Sequence, residues 1–221
     1  MNYLIHKLLN SEELEILRKN LDKEDSFWED GKKTAGKHAA EVKNNLQLKR
    51  DINLSKKLSQ LIIKKILSND LIKSFTLPKK IHGTMFSKST SGMKYGSHID
   101  NAYMSSGRSD LSFTIFLNCK DNYEGGALII ESFNSEEKFK LDAGEIIIYP
   151  STFLHSVEEV IAGERLVFIG WIESYVKSIE EREYLFDLDA AARSLLSKYG
   201  RSDEVDLIFK SYSNLLRRLG S

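Results

Sequence analysis

From Lys80 to Ile172 the chain is a series of short runs rich in β-branched and aromatic residues, each closed by turn chemistry. The runs are Ile81–Ser87, Lys94–Asp100, Leu111–Asn118, Ala127–Ser132, Glu137–Leu141, Glu145–Tyr149, His155–Val160 and Arg165–Ser174. The breaks include Ser91-Gly92, Ser106-Gly107, Glu124-Gly125-Gly126, Asp142-Ala143-Gly144 and Ala162-Gly163. Glu124-Gly125-Gly126 reads as a hairpin turn and lacks the spacing of a phosphate loop. No helical pattern separates the runs, which excludes βαβ units. The expectation is a mainly β fold with flanking helices, a jelly roll or barrel of antiparallel strands.

The flanks are helical. Tyr3 to Ile5 opens the chain as a short strand. Asn10 and Glu13 have the spacing of a capping box ahead of Leu14, Leu17 and Leu21. Gly31 to Ala40 reads as a loop. Val42 to Leu48 allows an edge strand or loop, with the polar wall of a site as the alternative. Leu54, Leu58, Leu61, Ile62 and Ile66 predict a helix over 53–67, and Pro78 ends the next short element. A second helix is predicted from Ile179 to Tyr199, stopped by Gly200. Ser202 caps a third, whose Val205, Ile208, Phe209, Tyr212, Leu215, Leu216 and Leu219 form one apolar stripe. That stripe packs on the core or on a second copy, so a homodimer through the C-terminal helices is one expectation. The division expected is a domain over 1–175, with its β core at about 80–175, and a helical extension over 176–221.

Composition narrows the classes. Net charge is zero, with 32 basic and 32 acidic residues interspersed, which gives no footprint for nucleic acid. The lone Cys119 excludes an internal disulfide and reads as a structural thiol. No apolar run reaches the length of about 20 residues that a bilayer demands, and the N-terminal segment is too polar for a signal peptide. A cytoplasmic protein without a membrane partner is expected.

The chemistry lies in Tyr95-Gly96-Ser97-His98-Ile99-Asp100. On a strand, His98 and Asp100 project from one face. A second histidine from a neighbouring strand would complete two imidazoles and one carboxylate, the open-sided donor set of non-haem Fe(II) oxygenases. His155 is the candidate. Arg165 follows ten positions later and shares a strand face with Val167, Ile169 and Trp171. A guanidinium in so apolar a strand needs a planar anion, either a bound carboxylate or an internal acidic partner. His6, His38 and His82 have no such setting and read as structural.

These motifs, with Val42-Lys43-Asn44-Asn45, Arg108-Ser109-Asp110-Leu111-Ser112, Tyr149-Pro150-Ser151 and Leu185-Phe186-Asp187-Leu188-Asp189, resemble the PKHD-type hydroxylases. These are prolyl 4-hydroxylase-like members of the Fe(II)/2-oxoglutarate-dependent dioxygenases. The resemblance implies a double-stranded β-helix core, with Fe(II) held by His98, Asp100 and His155. It implies 2-oxoglutarate bound through Arg165, with Ser112, Thr114, Phe116 and Leu128 around it, and ascorbate as a further ligand. Phe116 stands where prolyl hydroxylases often carry a tyrosine for the cosubstrate. Tyr95 and Trp171 are expected as pocket walls, and Lys43, Asn45 and Arg108 as substrate contacts. The reaction implied is O₂-dependent hydroxylation of a C–H bond, with release of succinate and CO₂. A prolyl residue of a peptide or protein is the expected substrate. A free amino acid or other small molecule, or a jelly-roll binding module without catalysis, remains the alternative.

Overall fold

The computed structural model describes residues 3–22, 25–34, 40–132 and 135–221. His38 and half of the expected 31–40 loop lie outside them. In chain order come β1 (Leu4–Lys7), α1 (Ser11–Leu21), β2 (Trp28–Asp30), β3 (Lys43–Asn44), β4 (Leu46–Leu48), α2 (Asn53–Ser68) and α3 (Asp70–Thr76). The core strands are β5 (Pro78–Thr90), β6 (Lys94–His98), β7 (Tyr103–Met104), β8 (Gly107–Arg108), β9 (Leu111–Phe116), β10 (Tyr123–Gly125), β11 (Leu128–Ser132), β12 (Ser135–Phe139), β13 (Glu145–Pro150), β14 (Leu154–Val157) and β15 (Val160–Ser174). Helices α4 (Ile179–Tyr199) and α5 (Asp203–Leu219) close the chain.

Two antiparallel sheets face each other as a jelly roll. The larger runs β1-β13-β9-β15-β5-β4-β2, with β10 added on β15, and the smaller runs β12-β11-β14-β6-β3. Phe86, Phe113, Ile146, Ile148 and Phe168 on the outer face of the large sheet pack against Leu14, Leu17, Leu58, Ile62 and Ile66 of α1 and α2. The inner face presents Phe116, Ile147, Tyr149 and Val167 to Leu128 and Ile130 of the small sheet. Covered on both faces, the large sheet uses near-continuous apolar strands, and all six residues of β9 are buried.

The expected capping box is formed: Asn10 Oδ1 accepts from Glu13 N at 2.9 Å, and Glu13 Oε2 accepts from Asn10 N at 2.8 Å. Helix α3 ends at Leu77, in the left-handed conformation just before Pro78. Two expected breaks are corrected. Ala162-Gly163 does not end a strand, and Glu124-Gly125 is not a free turn, because the two segments pair as β10 and β15. Gly163 keeps the strand continuous at φ 77°, where a Cβ would come within 2.2 Å of the Asn122 carbonyl oxygen. The α5 stripe turns inward only in part. Tyr212, Leu216 and Leu219 pack on Leu77, Val176 and Leu185, whereas Leu215 is 40% exposed. Among the described residues no helix is long and apolar enough to cross a membrane.

Candidate active site

Antiparallel pairing of β14 with β6 sets His155 directly across from His98. Asp100 lies two residues beyond the last residue of β6, and the ligand atoms of all three fall within 4.8 Å of one another. His155 Nε2 is 3.7 Å from Asp100 Oδ2. Each imidazole is oriented by a backbone carbonyl: His98 Nδ1 lies 2.9 Å from Gly96 O, and His155 Nδ1 lies 3.0 Å from Phe153 O. A carbonyl only accepts, so Nδ1 carries the proton and both Nε2 lone pairs are free. Burial, reinforced by His155, pushes the His98 pKa down to about 4, and the ring is neutral at pH 7. Tyr95 stacks on that ring at 3.6 Å between centroids.

Asp100 is itself held. Ser112 Oγ donates to its Oδ2 at 2.5 Å, and the Ser112 and Ser151 hydroxyls are 2.7 Å apart. The single Ser112 proton goes to the carboxylate, so Ser151 donates to Ser112. Ser112 therefore reaches the triad as well as lining the cavity, a contact that strand alternation could not reveal.

The triad lines a cavity of about 420 Å³, shared with Arg165, Thr114, Leu128 and Trp171. Arg165 is 3% exposed and has no ion-pair partner among the described residues. Its Nε makes no hydrogen bond among the described residues, and its nearest polar neighbour is the Tyr123 hydroxyl. The internal ion pair, one of the two sequence readings of this arginine, is absent among the described residues. Gly126, at φ 65°, lets the arginine pass: a Cβ there would lie 3.2 Å from Arg165 Cδ. The guanidinium lies over the Phe116 ring, 5.5 Å from its centroid. Phe116 does not line the cavity; it packs behind the arginine.

Tyr149, on the inward face of β13, also lines the cavity, and burial raises its pKa well above the usual phenol value. Nothing in Glu145-Ile146-Ile147-Ile148-Tyr149-Pro150 reveals which side faces the site, because five of these six residues are buried. Lys43 and Asn45 line the far wall beside Tyr95. Arg108 does not reach it. Asp110, two residues on, takes its guanidinium in two bonds of 2.8 and 2.9 Å, and Ser174 O accepts a third at 2.7 Å.

A model of the 2OG-Fe(II) oxygenase superfamily matches residues 84–173, and one of the PKHD-type hydroxylase C-terminal domain matches residues 180–220. A PKHD-type hydroxylase of Prochlorococcus marinus (strain MIT 9215) is 74% identical over 220 residues, covering 100% of both chains. This chain belongs to the PKHD-type hydroxylases. As such it is an oxygenase dependent on Fe(II) and 2-oxoglutarate. Among solved structures, a Pseudomonas putida prolyl-4-hydroxylase shares the fold at a TM-score of 0.58 and 15% identity, over 78% of this chain and 92% of that one. So does a prolyl hydroxylase from Trichoplax adhaerens in complex with a peptide fragment of the hypoxia inducible factor oxygen degradation domain. Its TM-score is 0.58 at 16% identity, over 83% of this chain and 86% of that one.

The side chains of this hydroxylase fit both groups. Two imidazoles with their Nε2 atoms turned away from the backbone carbonyls and one carboxylate, buried with a cavity on their open side, suit Fe(II). A buried guanidinium with no internal acid suits the carboxylate of 2-oxoglutarate.

Proposed function

We propose that this hydroxylase oxidises a C–H bond of a prolyl residue in a peptide or protein while 2-oxoglutarate is converted to succinate and CO₂. The observation that carries the reading is Arg165, with no acidic partner among the described residues, in the same cavity as His98, Asp100 and His155. In this reading the two Nε2 atoms and Asp100 hold Fe(II), and Arg165 takes the distal carboxylate of the cosubstrate. When bound, the metal supplies the oxidising chemistry, coupling O₂ reduction to oxidative decarboxylation of 2-oxoglutarate. The protein contributes orientation and exclusion. Gly96 and Phe153 fix the imidazole tautomers, and Ser112 holds the Asp100 carboxylate in place through Oδ2. Leu128, Val157 and Ile169 give the cavity apolar walls that limit water. The prolyl substrate is supported by the fold shared with the two prolyl hydroxylases.

A prolyl peptide library, incubated with Fe(II), 2-oxoglutarate and O₂, tests it. Peptides should gain the mass of one oxygen atom, with an equal amount of succinate formed. Succinate formed in step with a non-prolyl compound, and with no prolyl peptide, would replace the prolyl assignment.

A further inference from the structure

The wall opposite Arg165 carries a second cation that the chemistry above does not use. Lys43 is 5% exposed and lines the cavity, yet no carboxylate lies within ion-pair distance of it among the described residues. Its ammonium lies 3.4 Å from the Thr34 hydroxyl and 5.1 Å from the centre of the Tyr95 ring. The acidic groups that act on it, Asp100 and Asp30, do so through space. Asp100 belongs to the triad, and Asp30 accepts from the backbone N–H of Lys32 at 2.9 Å. Arg50 stands exposed at the rim of the same cavity, and among the described residues its one hydrogen-bond contact is the Met85 sulfur, at 3.7 Å. Glu29, the acidic group that acts on Arg50, is paired with Lys33 at 2.9 Å.

Charge balance gives these cations a meaning. Fe(II), the Asp100 carboxylate, dianionic 2-oxoglutarate and Arg165 sum to zero. Lys43 is left over, and a buried ammonium without a counter-ion is costly. The strand order of the small sheet, β12-β11-β14-β6-β3, says which ligand it faces. Arg165 packs at Gly126, just ahead of β11, whereas Lys43 is on β3, and the strands bearing His155 and His98 lie between. The cosubstrate end and the Lys43 end are on opposite sides of the metal ligands.

We propose that Lys43, with Arg50 at the rim, binds a carboxylate of the substrate, so that the molecule oxidised carries a single negative charge near the C–H bond attacked. The one buried ammonium matches one carboxylate, while Arg50 stands at the exposed rim, where solvent screens its charge. The carboxylate belongs either to an acidic side chain or to a C-terminus. The inference rests on the hydroxylase reading above for which side of the metal ligands faces substrate, and not on the substrate being prolyl.

The test uses the full chain loaded with Mn(II) and 2-oxoglutarate without O₂, and reads binding from the paramagnetic relaxation of ligand protons. Two pairs of probes are titrated: N-acetylproline against its amide, and N-acetylleucine against its amide. Each acid should bind roughly tenfold or more tighter than its amide, the scale of one charge-assisted hydrogen bond. Lys43→Met should erase that preference while 2-oxoglutarate affinity stays the same. Arg50→Gln, at an exposed position, should reduce the preference in part and serves if the Lys43 variant fails to fold. N-acetylglutamate amide against N-acetylglutamine amide then separates a side-chain carboxylate from a terminal one. No preference for the acid in any of the three pairs, including no binding at all, overturns the site. So does a loss of 2-oxoglutarate affinity in Lys43→Met. Preference for proline over leucine bears only on the prolyl reading, so the two ideas fail separately.

Discussion

At the scale of single residues, the donor set is governed by groups that never touch the metal position. Ser112 is the clearest case, because its one proton is committed to Asp100 and its lone pair to Ser151. Ser112→Ala should weaken Mn(II) or Fe(II) binding roughly tenfold to hundredfold, as loss of a partner behind a metal ligand commonly does. The fold should survive, since β9 keeps its backbone pairing with β13 and β15. Equilibrium dialysis of the metal, with a melt on the same samples, checks it; undiminished affinity would leave Ser112 without a positioning role. The triad was legible in sequence because His-x-Asp at a strand end is a period-two statement, and because His155 and Arg165 were charged or polar exceptions in apolar surroundings. Tyr149, Tyr123 and Ser151 were not legible. A buried tyrosine among isoleucines looks the same whether it faces the helices or the cavity, and Ser151 resembles any turn residue.

At the scale of elements, alternation fails where a sheet is covered on both faces. Strand β9 is buried throughout and β13 at five of its six residues, so the eight apolar runs mark where strands lie without saying which side chains look inward. Glycine misleads for a related reason. Gly163 signals a break, but its positive φ serves the pairing of β15 with β10. Gly163→Val should destabilise by about 1–3 kcal/mol, because a branched residue is strained in that backbone region and its Cβ meets the Asn122 carbonyl. A denaturant titration measures it, and an unshifted midpoint would mean that the loop before β10 relaxes freely. The apolar stripe of α5 was readable, but its depth was not. Leu185→Ala, at a position that is 1% exposed beneath that helix, should cost about 2–5 kcal/mol. Leu215→Asp, at a position that is 40% exposed, should stay within about 0.5 kcal/mol. Equal costs in unfolding titrations would mean that the whole stripe is covered, as a second copy would cover it.

At the scale of the whole molecule, the barrel encloses a cation that it does not neutralise, and this couples its stability to its cosubstrate. Arg165 sits in the longest strand of the large sheet, fully desolvated, and burial lowers its pKa. A structural ion pair would make the arginine a source of stability in the empty protein. A guanidinium without an acidic partner is instead a cost that the fold carries until a carboxylate arrives. Arg165→Met should therefore leave the melting temperature of the ligand-free protein unchanged or higher. It should also weaken 2-oxoglutarate roughly tenfold to hundredfold, since a charge-assisted bond worth about 1.5–3 kcal/mol is lost. Linkage makes the two effects visible in one experiment. At a hundredfold excess over its dissociation constant, the cosubstrate should stabilise the Mn(II)-loaded wild type by about 2.7 kcal/mol. For a chain of this size that amounts to roughly 5–10 °C. At the same concentration the variant, if weakened a hundredfold, gains only about 0.4 kcal/mol, and its melt should barely move. Metal affinity should be the same in both, because Arg165 contacts none of the three ligands. Arg165→Lys keeps the charge but loses the planar fork, and should shift by an intermediate amount. A ligand-free variant that melts well below wild type, with its cosubstrate-induced shift intact, would show that the arginine holds the sheet together instead of the cosubstrate.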